Sequence, residues 1–437
     1  MRAHFATKRV LDSGAVDFLM SPQPYSMFLR GIGSSVGDMK PFASIADHGI
    51  VSVVEDDTRT HNAPKMGCSQ TLDEETTLSV LRRNMGVSLC RNMPFYTVAI
   101  SKRGRDFDFP AFAEDAEALR IAGEHALAEG TRRRAEIAVV VSEEALKATP
   151  YVKGCVEYYR RAFQYRRQDG TVASEKSIGG SMASTWPYQN LYDDLACVGA
   201  PVDYRIAEDL ADNPGDYKLY IFNCCHKRTP ALHRAAEKLR KRGCTILWTY
   251  APGFVADEGN GTESMKLLTG MDFVRCEKKM NPELTLVDGT KTGSVSPGVS
   301  PLFALARADE VLGRYANGGI GLGAVKTDKA TSIFCGTYCL ETSLIRRIAE
   351  SAGVFFFSDS GDAMEANDRF VTMHVRSAGV KTVRLPRKAS VVDVFARRPV
   401  AQNVDTFTFD APLHSSWLFY YGDDAEVLSG KLNGKSK

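Results

Sequence analysis

A dense group of ionisable side chains directly follows a short apolar run near residue 50. Residues 51 to 54 read Val-Ser-Val-Val, and residues 55 to 61 read Glu-Asp-Asp-Thr-Arg-Thr-His. Branched apolar residues favour a strand, so the polar group begins where a buried strand is expected to surface. Glu55 is the first carboxylate there, and a carboxylate in such a place can act as a nucleophile or as a general acid/base.

The residues around Glu55 have structural roles that compete with chemical ones. Arg59 can keep a nearby carboxylate ionised by Coulomb attraction, or it can simply clasp Glu55 in a loop. His61 is more often a loop hydrogen bonder than a catalyst. Tyr25, in a Pro-rich loop after an earlier apolar run, can hydrogen-bond to a carboxylate or a ligand, and the alternative is a packing tyrosine. We interpret the two aspartates after Glu55 as structural.

A thiol provides the competing chemical hypothesis. Cys224 and Cys225 follow an apolar strand and precede His226, which would suit a cysteine hydrolase. Neighbours in sequence rarely face each other as nucleophile and base, however. The elbow-like turn at residues 249–253 reads Thr-Tyr-Ala-Pro-Gly and holds no cysteine. Its proline also removes a backbone N–H that an oxyanion hole could use, so the sequence disfavours a thiol enzyme.

The sequence predicts neither a metal nor a cofactor. Residues 359–362 read Asp-Ser-Gly-Asp, but the later bidentate glutamate of an EF-hand loop is missing. The glycines of residues 318–323 lack the strand-to-helix context of a dinucleotide or phosphate loop. We interpret both stretches as turns.

Composition limits the class of partner. The chain has 437 residues with 55 basic and 53 acidic side chains, a formal charge of +2, so no strong field attracts nucleic acid or an anionic membrane. Its ten cysteines show no regular framework, as is typical of free thiols in a reducing compartment. No stretch reaches about 18 apolar residues, and the first residues lack a signal-peptide core. We expect a soluble, cytoplasmic protein of two or three domains.

Three groups of elements would position these residues. Residues 1–133 alternate strand and helix signals, with strands at 16–20, 50–54 and 94–100, and this order predicts a parallel sheet. A (β/α)8 barrel takes about 250 residues, so this segment holds at most half of one. Residues 134–354 continue the alternation and predict an open doubly wound sheet of flavodoxin or class I glutamine amidotransferase type. Residues 355–437 contain short, evenly spaced strands and predict a small β-sandwich.

Several short phrases resemble one family. They are Val54-Glu55 with the polar string through His61, Leu247-Trp-Thr-Tyr-Ala-Pro-Gly-Phe254, Ala352-Gly353-Val354, Ser377-Ala-Gly379 and Val383-Arg-Leu-Pro386. Their order resembles the family 42 β-galactosidases. The resemblance implies the C-terminal part of a catalytic barrel at 1–133, an amidotransferase-like trimerisation domain at 134–354 and a β-domain at 355–437.

The resemblance also implies a reaction. The family hydrolyses β-glycosides with retention, using a nucleophilic glutamate at the end of the seventh barrel strand and an acid/base glutamate at the end of the fourth. If the strand at 94–100 is the eighth, Glu55 takes the nucleophile's position, and Tyr25, Arg59 and His61 are candidates for supporting it or binding the sugar.

By the same count, the fourth strand would precede Met1. Retaining hydrolysis needs two carboxyl groups about 5 Å apart, so we expect the isolated chain to be inactive on natural β-galactosides. The resemblance further implies a carbohydrate substrate, no cofactor and a homo-oligomer, which would be a trimer as in the family. The alternative is a non-catalytic carbohydrate-binding or assembly protein.

Overall fold

The computed structural model contains three substantial β-sheets with helices packed around them. It describes residues 6–24, 30–64, 70–101, 104–148, 165–166, 172–173, 186–293, 299–327, 329–337 and 340–434. The helices are α1 (Thr7–Asp12), α2 (Phe42–Asp47), α3 (Glu74–Cys90), α4 (Pro110–Glu129), α5 (Glu143–Ala148), α6 (Trp186–Ala196), α7 (Ala207–Leu210), α8 (Pro230–Arg242), α9 (Thr262–Thr269), α10 (Thr342–Ser351) and α11 (Ala425–Leu432). Within these ranges, no helix is long and apolar enough to cross a membrane.

The strands follow the same chain order. They are β1 (Phe18–Pro22), β2 (Val51–Asp56), β3 (Phe95–Thr97), β4 (Ile137–Val141), β5 (Tyr165–Arg166), β6 (Val172–Ala173), β7 (Val202–Ile206), β8 (Leu219–Phe222), β9 (Thr245–Thr249), β10 (Phe273–Cys276), β11 (Leu284–Leu286), β12 (Lys291–Thr292), β13 (Leu302–Leu305), β14 (Glu310–Arg314), β15 (Ile320–Lys326), β16 (Thr331–Cys335), β17 (Ala363–Ala366), β18 (Phe370–His374), β19 (Gly379–Asp393), β20 (Arg398–Ala411) and β21 (Ser416–Gly422). Strands β5 and β6 form a short hairpin of their own.

The first sheet is parallel and has the order β1-β2-β3. Helix α2 lies between β1 and β2 in the chain, and α3 lies between β2 and β3. All three strands predicted for this segment are present, with shifted ends. Among the described residues, no further strand pairs with β1 or β3, so the sheet has two open edges.

The start of α3 shows why the helix forms where it does. Asp73 caps it by accepting a 2.8 Å hydrogen bond from the backbone N–H of Thr76, which satisfies a donor that the first helical turn leaves without a partner. Glu74 and Glu75 follow in the first turn, where carboxylates favour the helix dipole. These sequence signals and the observed start of the helix therefore agree.

The middle sheet has eleven strands and is only partly doubly wound. Strands β16, β9, β8, β4 and β7 are adjacent and parallel, as the strand–helix alternation predicts. The predicted continuation of that alternation beyond β9 is wrong, because β10 to β16 pair with one another in antiparallel fashion. The turns Asp288-Gly289 and Asn317-Gly318 are strong hairpin signals, and they explain the antiparallel pairing.

The C-terminal strands form one sheet, so the predicted β-sandwich is wrong. The order is β17-β18-β21-β19-β20, with antiparallel pairing throughout. Residues 381–385 and most of residues 391–395, which the sequence predicts as two short strands, belong to the single 15-residue strand β19. Pro386 lies where the pairing of β19 with β20 shifts register, and a proline is tolerated at such a bulge. The apolar run Val354-Phe-Phe-Phe357, whose composition also predicts a strand, forms none.

Helices α3 and α4 pack directly on the C-terminal sheet. Leu81 and Met85 of α3, Leu119 of α4 and Leu418 and Tyr420 of β21 lie in one buried cluster. The approach is close at Gly86, where an added Cβ would lie 2.3 Å from Thr372 Oγ1 of β18. A buried ion pair of 2.8 Å joins Arg91 to Glu365 of β17. The ends of the chain therefore share a core.

Candidate active site

Glu55 lies on the open face of the first sheet. Along β2, Ser52, Val54 and Asp56 are buried, whereas Val51, Val53 and Glu55 are wholly or partly exposed. Successive side chains of a strand alternate between its two faces, so the buried set faces the protein and Glu55 projects from the other side. It stands in the penultimate position of β2, at the carboxyl end of a parallel strand, as the sequence predicts.

Tyr96 holds the Glu55 carboxylate. The two residues are partners in the register of β2 and β3, and the Tyr96 hydroxyl donates a 2.8 Å hydrogen bond to Glu55 Oε2. This hydrogen bond raises the pKa of Tyr96 above its ordinary value of 10.0, because it stabilises the phenol relative to the phenolate. Tyr96 therefore remains a neutral donor at neutral pH and orients the carboxylate.

The face around Glu55 is apolar and exposed. Its other members are Phe18, Met20 and Pro22 of β1 and Val51 and Val53 of β2, which the parallel register brings level with one another. Phe18, Met20 and Val51 expose 59%, 49% and 44% of their surface. Side chains of this kind are normally buried, so the face has the character of a sheet interior that lies open.

The aspartate next to Glu55 is structural. Asp56 is buried, and its carboxylate accepts hydrogen bonds from the Thr58 backbone N–H at 3.0 Å and from Asn84 Nδ2 at 3.0 Å. Asn84 belongs to α3, so Asp56 fastens the turn after β2 to that helix. Asp57 is paired with the buried Arg30. Both aspartates thus have the structural roles that we assigned to them.

Two other predicted site residues contact parts of the protein away from Glu55. The Arg59 carbonyl accepts a 2.9 Å hydrogen bond from the Thr71 N–H. His61 lies 2.9 Å from Thr77 Oγ1 through Nδ1 and packs edge-on against Phe109, so it anchors the loop to α3. Tyr25 lies outside the described residues.

Sequence reasoning missed Tyr96. A tyrosine at the carboxyl end of the strand next to Glu55 was a signal that could have been found by aligning the ends of the parallel strands. On strands β1 to β3, Glu55 is the one carboxylate that faces the open side, because Asp56 points to the opposite face. These strands can therefore offer a nucleophile or a base, but they do not contribute a second carboxyl group.

The thiols of the middle sheet are poorly suited to nucleophilic chemistry. Cys224 is buried with a positive φ of 54°, and its backbone N–H donates to Thr249 Oγ1 at 2.9 Å. Burial raises the pKa of Cys224 to about 12 and also raises that of Cys225. A thiolate is the reactive form of cysteine, so this arrangement favours inert thiols.

The two aspartates of the predicted polar turn are engaged by cations of the protein. Asp359 forms ion pairs with Arg346 and Arg384, and Asp362 forms an ion pair of 2.8 Å with Lys381. Among the described residues, His125, Glu129 and Asp424 lie close enough to share a metal ion. Asp424 is also paired with Arg369, however, and Lys431 lies 3.1 Å from His125. These cations make the group a poor metal site.

Comparison of the sequence alone finds no relative: no protein-family model matches it, and no curated protein does. The structure, in contrast, matches solved structures over most of its length. It is similar to the β-galactosidase from Bacillus circulans sp. alkalophilus, with a TM-score of 0.54 and 14% identity over 87% of this chain and 61% of that one.

The structure is also similar to two further solved structures. A GH42 β-galactosidase from G. stearothermophilus gives a TM-score of 0.51 with 13% identity over 91% of this chain and 54% of that one. The α-L-fucosidase isoenzyme 2 from Paenibacillus thiaminolyticus gives a TM-score of 0.51 with 12% identity over 86% and 61%. The chain therefore has the fold of family 42 β-galactosidases and spans 54% to 61% of the length of these three proteins.

Proposed function

We propose that this protein is a glycoside hydrolase-like protein derived from retaining β-galactosidases, with Glu55 as the nucleophile. The observation that carries the proposal is the position of Glu55 at the carboxyl end of a parallel strand, held by Tyr96 on an open sheet face. Active sites of (β/α)8 enzymes form at the carboxyl ends of the strands. The likeness to family 42 structures supports the same reading.

The reaction proposed for Glu55 is attack on an anomeric carbon. The carboxylate forms a glycosyl ester while the bond to the leaving-group oxygen breaks, and that oxygen takes a proton from a second carboxyl group. Water then hydrolyses the ester and releases the sugar. Tyr96 positions the nucleophile, and Arg59, His61 and Tyr25 remain candidates for supporting roles in the loops around it.

The second carboxyl group must come from outside strands β1 to β3. We propose that these strands are the C-terminal part of a (β/α)8 barrel within residues 1–133, followed by an amidotransferase-like domain at 134–354 and a β-domain at 355–437. Further parallel strands along the open edges would bury Phe18 and Met20 and bring an acid towards Glu55. Exposed edges and apolar faces promote association, and a homo-oligomer, a trimer by analogy with the family, is part of the proposal.

The substrate class proposed is a carbohydrate with a β-glycosidic bond. A β-galactoside is the first choice, because most of the similar structures described above are β-galactosidases. A fold relative that bears the name of an α-L-fucosidase shows that the fold does not fix the sugar. A soluble, cytoplasmic location remains part of the same proposal.

The test uses substrates that differ in their need for an acid. General acid catalysis contributes roughly 10²- to 10⁴-fold in rate, so residues 1–437 alone should not hydrolyse lactose detectably. They should hydrolyse 2,4-dinitrophenyl β-D-galactoside slowly, because its leaving group departs without protonation. Glu55→Gln should abolish that activity. Glu263→Gln, which changes an exposed carboxylate in the first turn of α9, is the matched control and should leave the rate unchanged. Lactose hydrolysis that survives Glu55→Gln would contradict the proposal.

A second candidate function is carbohydrate binding or assembly without catalysis. The single carboxylate on the open face of β1 to β3 favours it. This function predicts that neither aryl galactosides nor lactose are hydrolysed, while a sugar still binds. The kinetic comparison above therefore separates the two candidates.

A further inference from the structure

A cleft lies between α3 and the C-terminal sheet, apart from the Glu55 site. Its volume is about 720 Å³, within the range of roughly 300 to 1,000 Å³ that is usual for small-molecule sites. One wall is the outer side of the first half of α3, and the others are the turn between β19 and β20 and the loop before β21. None of its lining residues contributes to the face that carries Glu55.

The inner part of the cleft is polar. Asp393 is buried, and its Oδ1 accepts a 3.1 Å hydrogen bond from the Ala396 N–H. Arg82 and Arg398 line the same cleft; burial raises the pKa of Asp393, and these two guanidinium groups act in the opposite direction. The carboxylate retains further lone pairs for a ligand.

Arg82, which also lines the cleft, is held in place by Asp115 and Phe395. Its Nε and Nη2 donate to the two carboxylate oxygens of Asp115 at 2.6 and 2.9 Å, and its guanidinium carbon lies 5.0 Å from the centre of the Phe395 ring. The bidentate pair leaves Nη1 for another acceptor. A fixed donor and a fixed acceptor therefore both line the cleft.

The mouth of the cleft is apolar. Leu72 and Leu413, which line it, expose 73% and 52% of their surface. A few placed polar groups within a partly apolar lining are usual for a small-molecule site.

The lining carries charges of both signs. Asp73, Glu75 and Asp393 contribute negative groups, and Arg82 and Arg398 contribute positive ones, so the lining has no field of a single sign for a strongly charged ligand. A carboxylate and a guanidinium in one cleft match hydroxyls, which donate to the first and accept from the second. Vicinal hydroxyls on a ring whose C–H faces are apolar satisfy both the inner part and the rim.

We propose that this cleft is a binding site for a short neutral oligosaccharide, separate from the site at Glu55. The donor and acceptor are supplied by Arg82 and Asp393, with Arg398 at the entrance, and the apolar rim contacts the sugar ring. The choice of oligosaccharides among neutral polyols is supported by the proposed function, whereas the site itself is argued from the cleft.

The test is calorimetric titration of the full chain with three neutral probes: β-1,4-galactotriose, cellotriose and xylotriose. We expect saturable binding of at least one. Ala396→Trp places a large ring at the mouth and should weaken that binding at least about tenfold, and Arg398→Ala should weaken it several-fold. Ala128→Trp at the exposed end of α4 and Arg307→Ala in the middle domain are the matched controls and should leave the dissociation constant unchanged.

Glu55→Gln separates this inference from the proposed function. Binding in the cleft should persist in that variant, whatever the result of the aryl galactoside assay. The inference is overturned if none of the three probes binds saturably, if folded Ala396→Trp and Arg398→Ala variants both bind as the wild type does, or if Glu55→Gln removes the binding. Circular dichroism establishes that each variant is folded.

Discussion

Replacing Arg91 by methionine should destabilise the whole chain. Arg91 ends α3 and donates a 2.8 Å hydrogen bond from Nε to Glu365 Oε2 of β17, with both side chains buried. Its guanidinium carbon also lies 4.8 Å from the centre of the Phe42 ring of α2. Burial raises the pKa of Glu365, and Arg91 opposes that rise. The variant leaves a carboxylate buried without its partner.

The expected loss of unfolding free energy is about 3 to 5 kcal/mol, the usual cost of removing one member of a buried pair. The loss should be smaller at acidic pH, because a protonated Glu365 costs less to bury than an ionised one. Changing both residues, Arg91→Met with Glu365→Leu, should cost less than the sum of the single changes, since their coupling is lost only once.

Urea denaturation measures these free energies by linear extrapolation. Trp248 lies in the middle sheet and Trp417 in the C-terminal sheet, and both should unfold in one transition, because the N-terminal segment shares buried clusters with both sheets. Arg120→Met, which removes an exposed arginine of α4 that pairs with Glu117 and Glu124, is the control and should cause no clear change. An Arg91→Met variant within about 1 kcal/mol of the wild type at neutral pH would refute the reasoning.

Three further predictions follow from other buried contacts. Gly86→Ala should lower the unfolding free energy, because its Cβ would lie 2.3 Å from Thr372 Oγ1 and overpacking costs about 1 to 3 kcal/mol. Gly123→Ala in α4, whose Cβ would lie 3.7 Å from Leu89 Cδ1, should instead raise it by up to about 1 kcal/mol. Equal effects of the two substitutions in urea denaturation would contradict this. Burial raises the pKa of Asp194 from 3.8 to about 7, so its contribution to stability is present below pH 3.8 and is lost as the pH rises through 7. Asp194→Asn should therefore flatten the pH dependence of the unfolding free energy between pH 4 and 8. An unchanged slope would count against this assignment. Iodoacetamide should label Cys224 slowly at neutral pH, since burial raises its pKa to about 12, and peptide mapping that finds rapid labelling of this thiol would revive a cysteine enzyme.

The strands that carry Glu55 could be predicted because their signals are local. Val51 to Val54 are of strand type and are followed at once by charge, so the position of Glu55 at a strand end needed no knowledge of tertiary structure. Tyr96 could not be found in the same way. Its role depends on the register between β2 and β3, which a run of residues in one strand does not reveal.

The errors about the sheets also have physical causes. Pro386 and its charged neighbours have the composition of a turn. They lie instead where the pairing of β19 with β20 shifts register, and the strand continues past them. Beyond β9, apolar runs of four or five residues fit parallel and antiparallel strands equally well, and only the Asp-Gly and Asn-Gly turns distinguish them. The contact between α3 and the C-terminal sheet joins residues nearly three hundred positions apart, as in Arg91 and Glu365, and no periodic pattern encodes it.

The most direct test of the central claim is covalent labelling of Glu55. A 2-deoxy-2-fluoro-β-galactoside with a dinitrophenyl leaving group transfers its glycosyl unit to a retaining nucleophile, and the fluorine slows hydrolysis of the ester. Mass spectrometry after peptide mapping should find one glycosyl adduct on Glu55 in the wild type and none in Glu55→Gln. The absence of any adduct on the folded wild type, or an adduct on another residue that persists in Glu55→Gln, would contradict the account.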